Sequence, residues 1–196
     1  ASTFAFAQSG GIGAIKVGAV PVPVNTLWTS ADVEYVLNDS RARVAIVSER
    51  LLPVIAAVPS ERRPRLTHVV VAGGAAPAAE GQFGFDDLLS SGQPSFNAEP
   101  TSKDDAAFWL YSSGSTGAPK GCVHLQHDML VCTRLYAESV LGLSAEDRCF
   151  SVAKLFFAYG LGNGGYCPLG VGATTILWPG APTAANVFAV IERHRP

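Results

Sequence analysis

Residues 106–121 read AAFWLYSSGSTGAPKG, an apolar run of six residues followed at once by a loop of glycine, serine and threonine. A continuous apolar run is typical of a β-strand that is buried on both faces, as in a parallel sheet covered by helices. Glycines let a backbone approach a ligand closely, and successive amide N–H groups in such a loop form a concave site for an anion. The sequence therefore predicts a buried strand that leads into a loop for phosphate groups.

The side chains of this loop favour a polyphosphate as the ligand. Lys120 supplies a compact positive charge, and Pro119 stiffens the chain before it. The loop is not a Walker A loop, because that pattern needs Gly immediately before its Lys and Ser or Thr immediately after it, whereas Lys120 stands between Pro119 and Gly121. An ordinary kinase or ATPase is thereby excluded, and the structural alternative is a flexible Gly/Ser loop with an incidental lysine.

Predicted strands alternate with predicted helices along the whole chain, which indicates βαβ units and an α/β fold with a largely parallel sheet flanked by helices. The predicted strands are Val20–Asn25, Arg43–Ser48, Thr67–Ala72, Ala106–Tyr111, Cys122–Leu125, Cys149–Val152 and Thr174–Leu177. The predicted helices are Ala31–Asn38, Leu51–Val58, a single turn at Phe85–Leu89, Asp128–Val140 and Ala184–His194.

Local signals refine these elements. The prolines of Val20–Asn25 predict an edge strand or a strand end. Ser30 is predicted to cap the helix that follows it, with Glu34 near the capping-box position. Gly73–Gly81 is predicted to be a loop, and the polar, proline-containing stretch Gln93–Asp104 a linker.

Composition and charge limit the partners. Charged residues make up 15% of the chain and the net charge is −2 with both signs interspersed, which gives no basis for binding nucleic acid or an anionic membrane. No apolar run approaches the roughly 18 residues that span a bilayer. The four cysteines contain no C-x-x-C pair, so we expect reduced, buried thiols in a cytoplasmic protein rather than a zinc or disulfide framework. Because the chain starts at Ala1 without Met and stops at Pro196 after a predicted helix, we expect a piece of a longer protein.

The loop resembles the phosphate-binding signature of the adenylate-forming superfamily of acyl- and aryl-CoA ligases, luciferases and peptide-synthetase adenylation domains. Residues 13–16 and 18–25 also look like the superfamily's upstream helix and strand. The resemblance implies part of the large N-terminal domain of such a ligase, with ATP, Mg²⁺ and coenzyme A as cofactors or cosubstrates. It implies ATP binding by Ser112, Ser113, Gly114, Ser115, Thr116, Gly117 and Lys120, with Thr116 and Lys120 as catalytic residues.

A second segment, residues 154–163 with the sequence KLFFAYGLGN, carries the acid prediction. Taken alone, an aromatic cluster entering a Gly-rich helix is more often core than pocket. The segment is similar, however, to that of benzoate-CoA ligase and its hydroxybenzoate and aminobenzoate relatives. The resemblance implies that Phe157, Ala158, Tyr159 and Gly160 form a slot for an aromatic acid, mostly apolar with few polar anchors.

The resemblance predicts two regions, residues 1–98 as the first part of the N-terminal domain and residues 99–196 as the phosphate-loop region with the start of the acyl pocket. The ribose-binding Asp, the Mg²⁺-binding Glu and a further catalytic Lys of the superfamily are expected beyond Pro196, so the 196 residues alone are expected to be inactive. Two alternatives stay open: a ligase for another acid, fatty or amino, and a non-catalytic nucleotide-binding remnant.

Two polar pairs are predicted to be structural. His124 and His127 have no third or fourth ligand nearby in sequence, so a strand-end or helix-start role is favoured over a metal site. Asp104 and Asp105 are expected to form a solvated strand entrance rather than a catalytic pair.

Overall fold

A computed structural model describes residues 3–6, 11–74, 79–93, 95–112 and 117–196 of the chain. The chain divides into two compact units, Ala1–His124 and Leu125–Pro196, which are considered separately below. The predicted division into residues 1–98 and 99–196 is a different one, and it stays a prediction.

The first unit is built on a parallel sheet. Among the described residues, five strands pair in the order β2-β1-β3-β4-β5, with every neighbouring pair parallel. The strands are β1 Thr3–Phe6, β2 Val20–Pro23, β3 Val44–Ser48, β4 His68–Ala72 and β5 Gln82–Gly84. The predicted edge position of the proline-bearing strand agrees with this order, since β2 is the first strand in the five-stranded sheet. The strand β5 was not predicted; its three residues follow the predicted loop Gly73–Gly81, of which residues 75–78 lie outside the described residues.

Short helices follow the strands of this unit, as βαβ units require. They are α1 Gly11–Lys16, α2 Ser30–Asp39, α3 Leu52–Ala56 and α4 Phe85–Ser91, with 3₁₀ turns at Glu49–Leu51 and Ser60–Arg62. The apolar faces of β3, β4 and α3 meet in a buried cluster whose members are Ala45, Val47, Ile55, Val69 and Val71. The predicted α/β fold is therefore confirmed in this unit.

The predicted cap of α2 is wrong by one residue. Thr29 is the N-cap, in extended conformation at φ −75° and ψ 167°, and its hydroxyl oxygen accepts a hydrogen bond from Asp32 N at 3.3 Å. Asp32 closes the capping box by accepting from Thr29 N at 2.9 Å, and the hydrogen bond from the Thr29 side chain is the main cause of the lowered pKa of Asp32. Glu34, the predicted partner, instead pairs with Arg62 at 2.8 Å.

The strand before the phosphate loop is β6, Ala106–Ser112, and the strand after it is β7, Lys120–Leu125; the two form a two-stranded sheet. The strand β6 also packs against β2. The adjacent residues Ala107 and Phe108 are both buried, so both faces of β6 contact protein at this point, whereas Trp109 and Tyr111 are half-buried. The strand predicted from the apolar run is confirmed, and its last residues are more open than expected.

The second unit contains a parallel pair of strands, β8 Arg148–Phe150 and β9 Thr174–Ile176. Its helices are α5 Asp128–Cys132, α6 Ala158–Leu161, α7 Cys167–Val171 and α8 Ala184–His194. The predicted helix over Asp128–Val140 is present but turns π-helical at Thr133–Glu138, and a second π-helical turn, Gly162–Tyr166, joins α6 to α7. The predicted bounds of α8 are confirmed, with Thr183 as its N-cap.

The cysteine prediction is partly wrong. All four thiols are free, and Cys167 is buried, but Cys122 is exposed because it lies on the open side of β7. Burial raises the pKa of both Cys149 and Cys167, which keeps these two thiols protonated. Across the described part of the chain, none of the helices combines the length and the apolar character needed to cross a bilayer.

Candidate active site

The predicted phosphate loop lies between β6 and β7. Ser112 ends β6, and Lys120 begins β7; both side chains are exposed. Ser113, Gly114, Ser115 and Thr116 lie outside the described residues, so their predicted roles stay predictions. The structure thus places an exposed hydroxyl and an exposed ammonium group at the two ends of the loop, where they could reach an anion.

Gly117 shows the backbone freedom for which the loop's glycines were singled out. Its φ of +132° is a conformation that residues with a Cβ rarely adopt, and an added Cβ would meet no described atom within 4 Å. The glycine is therefore needed for backbone conformation, and none of the described residues fills the space above it. Such open space beside a glycine is what close approach of a phosphate requires.

The base of the loop is fixed by contacts that the sequence did not reveal. The hydroxyl of Tyr111 donates to Asp39 Oδ2 at 2.6 Å, and the Tyr111 ring lies edge-on to Trp28 with centroids 6.3 Å apart. Burial, reinforced by the Asp39 hydrogen bond, raises the pKa of Tyr111 above its usual range, so the phenol stays a donor. Gly121 faces the same ring, since an added Cβ would lie 3.1 Å from Tyr111 Cζ. The two strands that flank the loop therefore meet at Tyr111.

In the second unit, the predicted acid-binding residues stand where α6 begins. Phe157 is its extended N-cap and is 47% exposed, Ala158 is exposed, and Tyr159 is 69% exposed. The ring of Phe157 contacts that of Phe156 with centroids 4.6 Å apart. The rings of Phe157 and Tyr159 are not packed in the core of this unit, and their predicted contact with the acid stays a prediction.

Gly160 differs from its neighbours because it is buried. An added Cβ would overlap the carbonyl oxygen of Lys154 and lie 2.5 Å from that of Ala153. Only glycine lets the first turn of α6 pack this closely on the chain that precedes it. Its predicted role as a substrate contact stays a prediction, while its packing role is evident.

A cavity of about 450 Å³ lies beside this segment. Tyr159 lines it, together with Leu141, Leu143, Cys149, Phe150, Ser151, Val152, Ala153, Asn163 and Cys167. The Asn163 amide donates to the carbonyl oxygen of Tyr159 at 3.0 Å, which fixes the backbone of that residue. The lining is largely apolar with a few polar groups, the chemistry that suits a small organic acid.

Lys154, just before the aromatic residues, was not singled out by the sequence. Its ammonium donates to the carbonyl oxygens of Trp178 and Gly180, each at 2.7 Å, and lies 4.9 Å from the centroid of the Trp178 ring. Burial lowers the pKa of Lys154, and the two carbonyl oxygens offset part of the lost hydration. A single lysine inside a mainly apolar stretch was the one sequence signal for this contact.

The two polar pairs lie at the strand and helix positions that were predicted for them. His124 stacks on Phe108 with ring centroids 4.5 Å apart, and His127 is the N-cap of α5, 3.3 Å from Asp128. Asp105 accepts from Ser102 N at 2.7 Å in an exposed turn before β6. In the part of the chain that the structure describes, no group of three or more His, Cys, Asp or Glu side chains could hold a metal ion.

Comparison with known proteins agrees with this description. The family model for the AMP-binding enzyme matches residues 10–196. The chain is 53% identical over 185 residues to the benzoate-CoA ligase of Thauera aromatica, covering 94% of this chain and 34% of that protein. The chain therefore spans about a third of the length of this curated relative.

Solved structures give the same result for the fold. An anthranilate CoA ligase, AuaEII, in complex with anthranoyl-AMP superposes with a TM-score of 0.94 at 35% identity, over all of this chain and 39% of that one. A benzoate CoA ligase from Burkholderia xenovorans LB400 gives a TM-score of 0.83 at 38% identity, over all of this chain and 38% of that one. The predicted fold, part of the large N-terminal domain of an adenylate-forming ligase, is confirmed. The chain belongs to the AMP-binding enzyme family.

Proposed function

We propose that the intact enzyme, meaning the whole protein that carries this chain, activates a benzoate-like aromatic acid with ATP and transfers the acyl group to coenzyme A. The observation that carries the proposal is the 53% identity to the benzoate-CoA ligase of Thauera aromatica across 94% of this chain. The exposed side chains of Phe157 and Tyr159 support the aryl part of the proposal, and the positive φ of Gly117 supports the ATP part.

The reaction has two steps, formation of the acyl-adenylate and formation of the thioester. A carboxylate oxygen of the acid attacks the α-phosphorus of ATP, the bond from that phosphorus to the bridging oxygen breaks, and pyrophosphate leaves. The thiol of coenzyme A then attacks the acyl carbonyl, loses its proton, and displaces AMP to give the thioester.

The residues of this chain act mainly in the first step. The acid and the triphosphate are both anions, so cationic and hydrogen-bonding groups must offset their repulsion and stabilise the charge on pyrophosphate. In the proposal, Lys120 and Ser112 contact phosphate oxygens; their places at the two ends of the loop support this role. Tyr159 holds the ring of the acid together with the other apolar residues that line the cavity, and their surface excludes water from one side of the pocket.

The proposal includes Mg²⁺ as the ion that accompanies ATP and neutralises phosphate charge. It also includes a cytoplasmic location and small-molecule partners only: the acid, ATP and coenzyme A.

Incubating the intact enzyme with benzoate, ATP and Mg²⁺ tests the proposal. The expected result is benzoate-dependent pyrophosphate release with benzoyl-adenylate detected by mass spectrometry, followed by benzoyl-CoA when coenzyme A is added. The 196 residues alone are expected to release no pyrophosphate. Nucleotide binding by the intact enzyme without turnover of any acid would show a non-catalytic module instead.

A further inference from the structure

Lys154 connects two parts of the second unit that are distant in sequence. Its ammonium donates to the carbonyl oxygens of Trp178 and Gly180, both at 2.7 Å, in the turn that follows β9. It also lies over the Trp178 ring, 4.9 Å from the centroid, while Gly180 packs against that same ring. Hydrogen bonds from a charged donor are shorter and stronger than those between neutral groups, so this contact holds one geometry.

The backbone of Lys154 is part of the turn that carries the aromatic residues. Its carbonyl oxygen accepts from Phe157 N at 3.0 Å, and the same oxygen lies directly against Gly160, where a Cβ would overlap it. The segment from Phe157 to Gly160 is therefore folded onto the Lys154 peptide. A shift of this peptide must move the first turn of α6 with it.

The first turn of α6 forms one wall of the cavity of about 450 Å³. Tyr159 and Ala153 both line the cavity, and Asn163 fixes the Tyr159 backbone through a 3.0 Å hydrogen bond. Tyr159 directly precedes Gly160, which is packed on Lys154. Ala153 directly precedes Lys154. Both cavity-lining residues are thus attached to the peptide that the Lys154 side chain anchors.

We propose that Lys154 is a positioning residue for the acid: by binding the carbonyl oxygens of Trp178 and Gly180, it holds the Tyr159 wall of the acid pocket in place. The inference rests on the proposed function for the identity of the ligand. Lys154 does not contact the reacting atoms in this role, because two of its three ammonium protons are directed to backbone carbonyls. Its loss acts on acid binding and leaves ATP binding unchanged.

The test is the pyrophosphate-exchange kinetics of Lys154→Met in the intact enzyme, with benzoate and ATP varied separately. Methionine keeps an unbranched chain of similar length and removes the charge and the donors. We expect the KM for benzoate to rise about tenfold, as for the loss of a charged hydrogen bond, and the KM for ATP to stay within about twofold. Lys154→Arg, which keeps a charged donor, should recover most of the loss.

Lys103→Met is the matched control, since it makes the same chemical change at an exposed lysine that pairs with Asp104 at 3.0 Å. It should leave both KM values unchanged. A lower melting temperature of Lys154→Met with an unchanged KM for benzoate, or an equal rise in both KM values, would overturn the positioning role. If Lys154→Met does not fold, Lys154→Gln is measured in the same way: a raised benzoate KM supports the proposal and wild-type constants refute it.

The wild-type enzyme separates this inference from the proposed function. Exchange that depends on another acid, with none for benzoate, would refute the aryl proposal, and the Lys154 variants are then measured with that acid. Absence of exchange with every acid would refute the proposed function and the Lys154 role together. Normal benzoate exchange in the wild type with unchanged KM values in Lys154→Met would refute the Lys154 role alone.

Discussion

Two glycines, one in each candidate region, show how differently the phosphate loop and the acid segment are built. Gly117 has a φ of +132° and open space where a Cβ would stand, whereas Gly160 lies in a helix with no such backbone requirement and would clash with two carbonyl oxygens. Gly117 is required because of its backbone conformation, and Gly160 is required because a Cβ would not fit. Among the described residues, no atom lies where a Cβ of Gly117 would stand, whereas backbone atoms fill that space at Gly160.

The same contrast holds for the anchors. The loop is fixed at its base, where Tyr111 binds Asp39, while Lys120 is exposed at its other end. The acid segment is fixed along its length, by Lys154, Gly160 and Asn163, and exposes only the side chains of Phe157, Ala158 and Tyr159. Substitutions in the loop should thus affect ligand use, and substitutions in the packed part of the segment should affect folding.

Gly160→Ala should give the largest effect. The added methyl group overlaps backbone oxygens that cannot rotate away, so the free energy of unfolding should fall by about 3 kcal/mol, the upper range for overpacking. Thermal denaturation of the intact enzyme measures it. Gly165→Ala is the matched control, because its Cβ would make ordinary contacts at 3.6 Å and 3.7 Å. Similar melting temperatures for the two variants would contradict the packing role.

Lys120→Ala should impair adenylate formation with little change in stability. Removing a charged contact to phosphate costs roughly 1.5–3 kcal/mol, about a 10- to 150-fold loss in kcat/KM. Pyrophosphate exchange should slow, while thioester formation from supplied benzoyl-adenylate should suffer less. Equal losses in both half-reactions would argue against a phosphate role, and Lys103→Ala, at another exposed lysine, should change neither.

Gly117→Val should raise the KM for ATP by about tenfold, because the valine side chain occupies the space proposed for phosphate. It should also lower the free energy of unfolding by about 1–2 kcal/mol, because a residue with a Cβ is strained at this positive φ. Gly73→Val isolates the strain, since Gly73 has a φ of +77°, also with open space around it, and lies outside the loop. The two variants should lose similar stability, and only Gly117→Val should raise the KM for ATP. Equal ATP kinetics in both would show that the loop glycine is purely structural.

Ala158→Leu should give the smallest change, a rise of several-fold in the KM for benzoate, as the larger side chain fills the proposed slot. The free energy of unfolding should not change, because Ala158 is exposed. Ala184→Leu is the control, since Ala184 is also the exposed first residue of a helix. An unchanged KM for benzoate in Ala158→Leu would place the acid elsewhere.

The sequence predicted what depends on neighbouring residues. Apolar runs located β3, β4 and β6, and the pattern of residues 184–194 located α8, because strand and helix signals lie within a few residues of each other. The positive φ of Gly117 agrees with the glycine pattern of the loop. The N-cap of α2 was misplaced because Thr29 and Ser30 are adjacent and both can cap a helix.

The sequence could not predict contacts between distant residues. Tyr111 and Asp39 are 72 positions apart, and Lys154 reaches carbonyls 24 and 26 positions away, so no local pattern relates them. The π-helical turns at Thr133–Glu138 and Gly162–Tyr166 were also missed, since periodicity does not distinguish them from α-helix. The Tyr111 and Lys154 contacts are the ones that fix the two candidate regions in place.

Acid-dependent ATP–pyrophosphate exchange by the intact enzyme, compared between benzoate and hexanoate, tests the aryl-acid proposal most directly. A slot formed by Phe157, Ala158 and Tyr159 should favour the flat ring, and we expect kcat/KM for benzoate to exceed that for hexanoate by at least about tenfold. A clear preference for hexanoate would contradict the aryl-acid proposal and leave the family assignment unchanged.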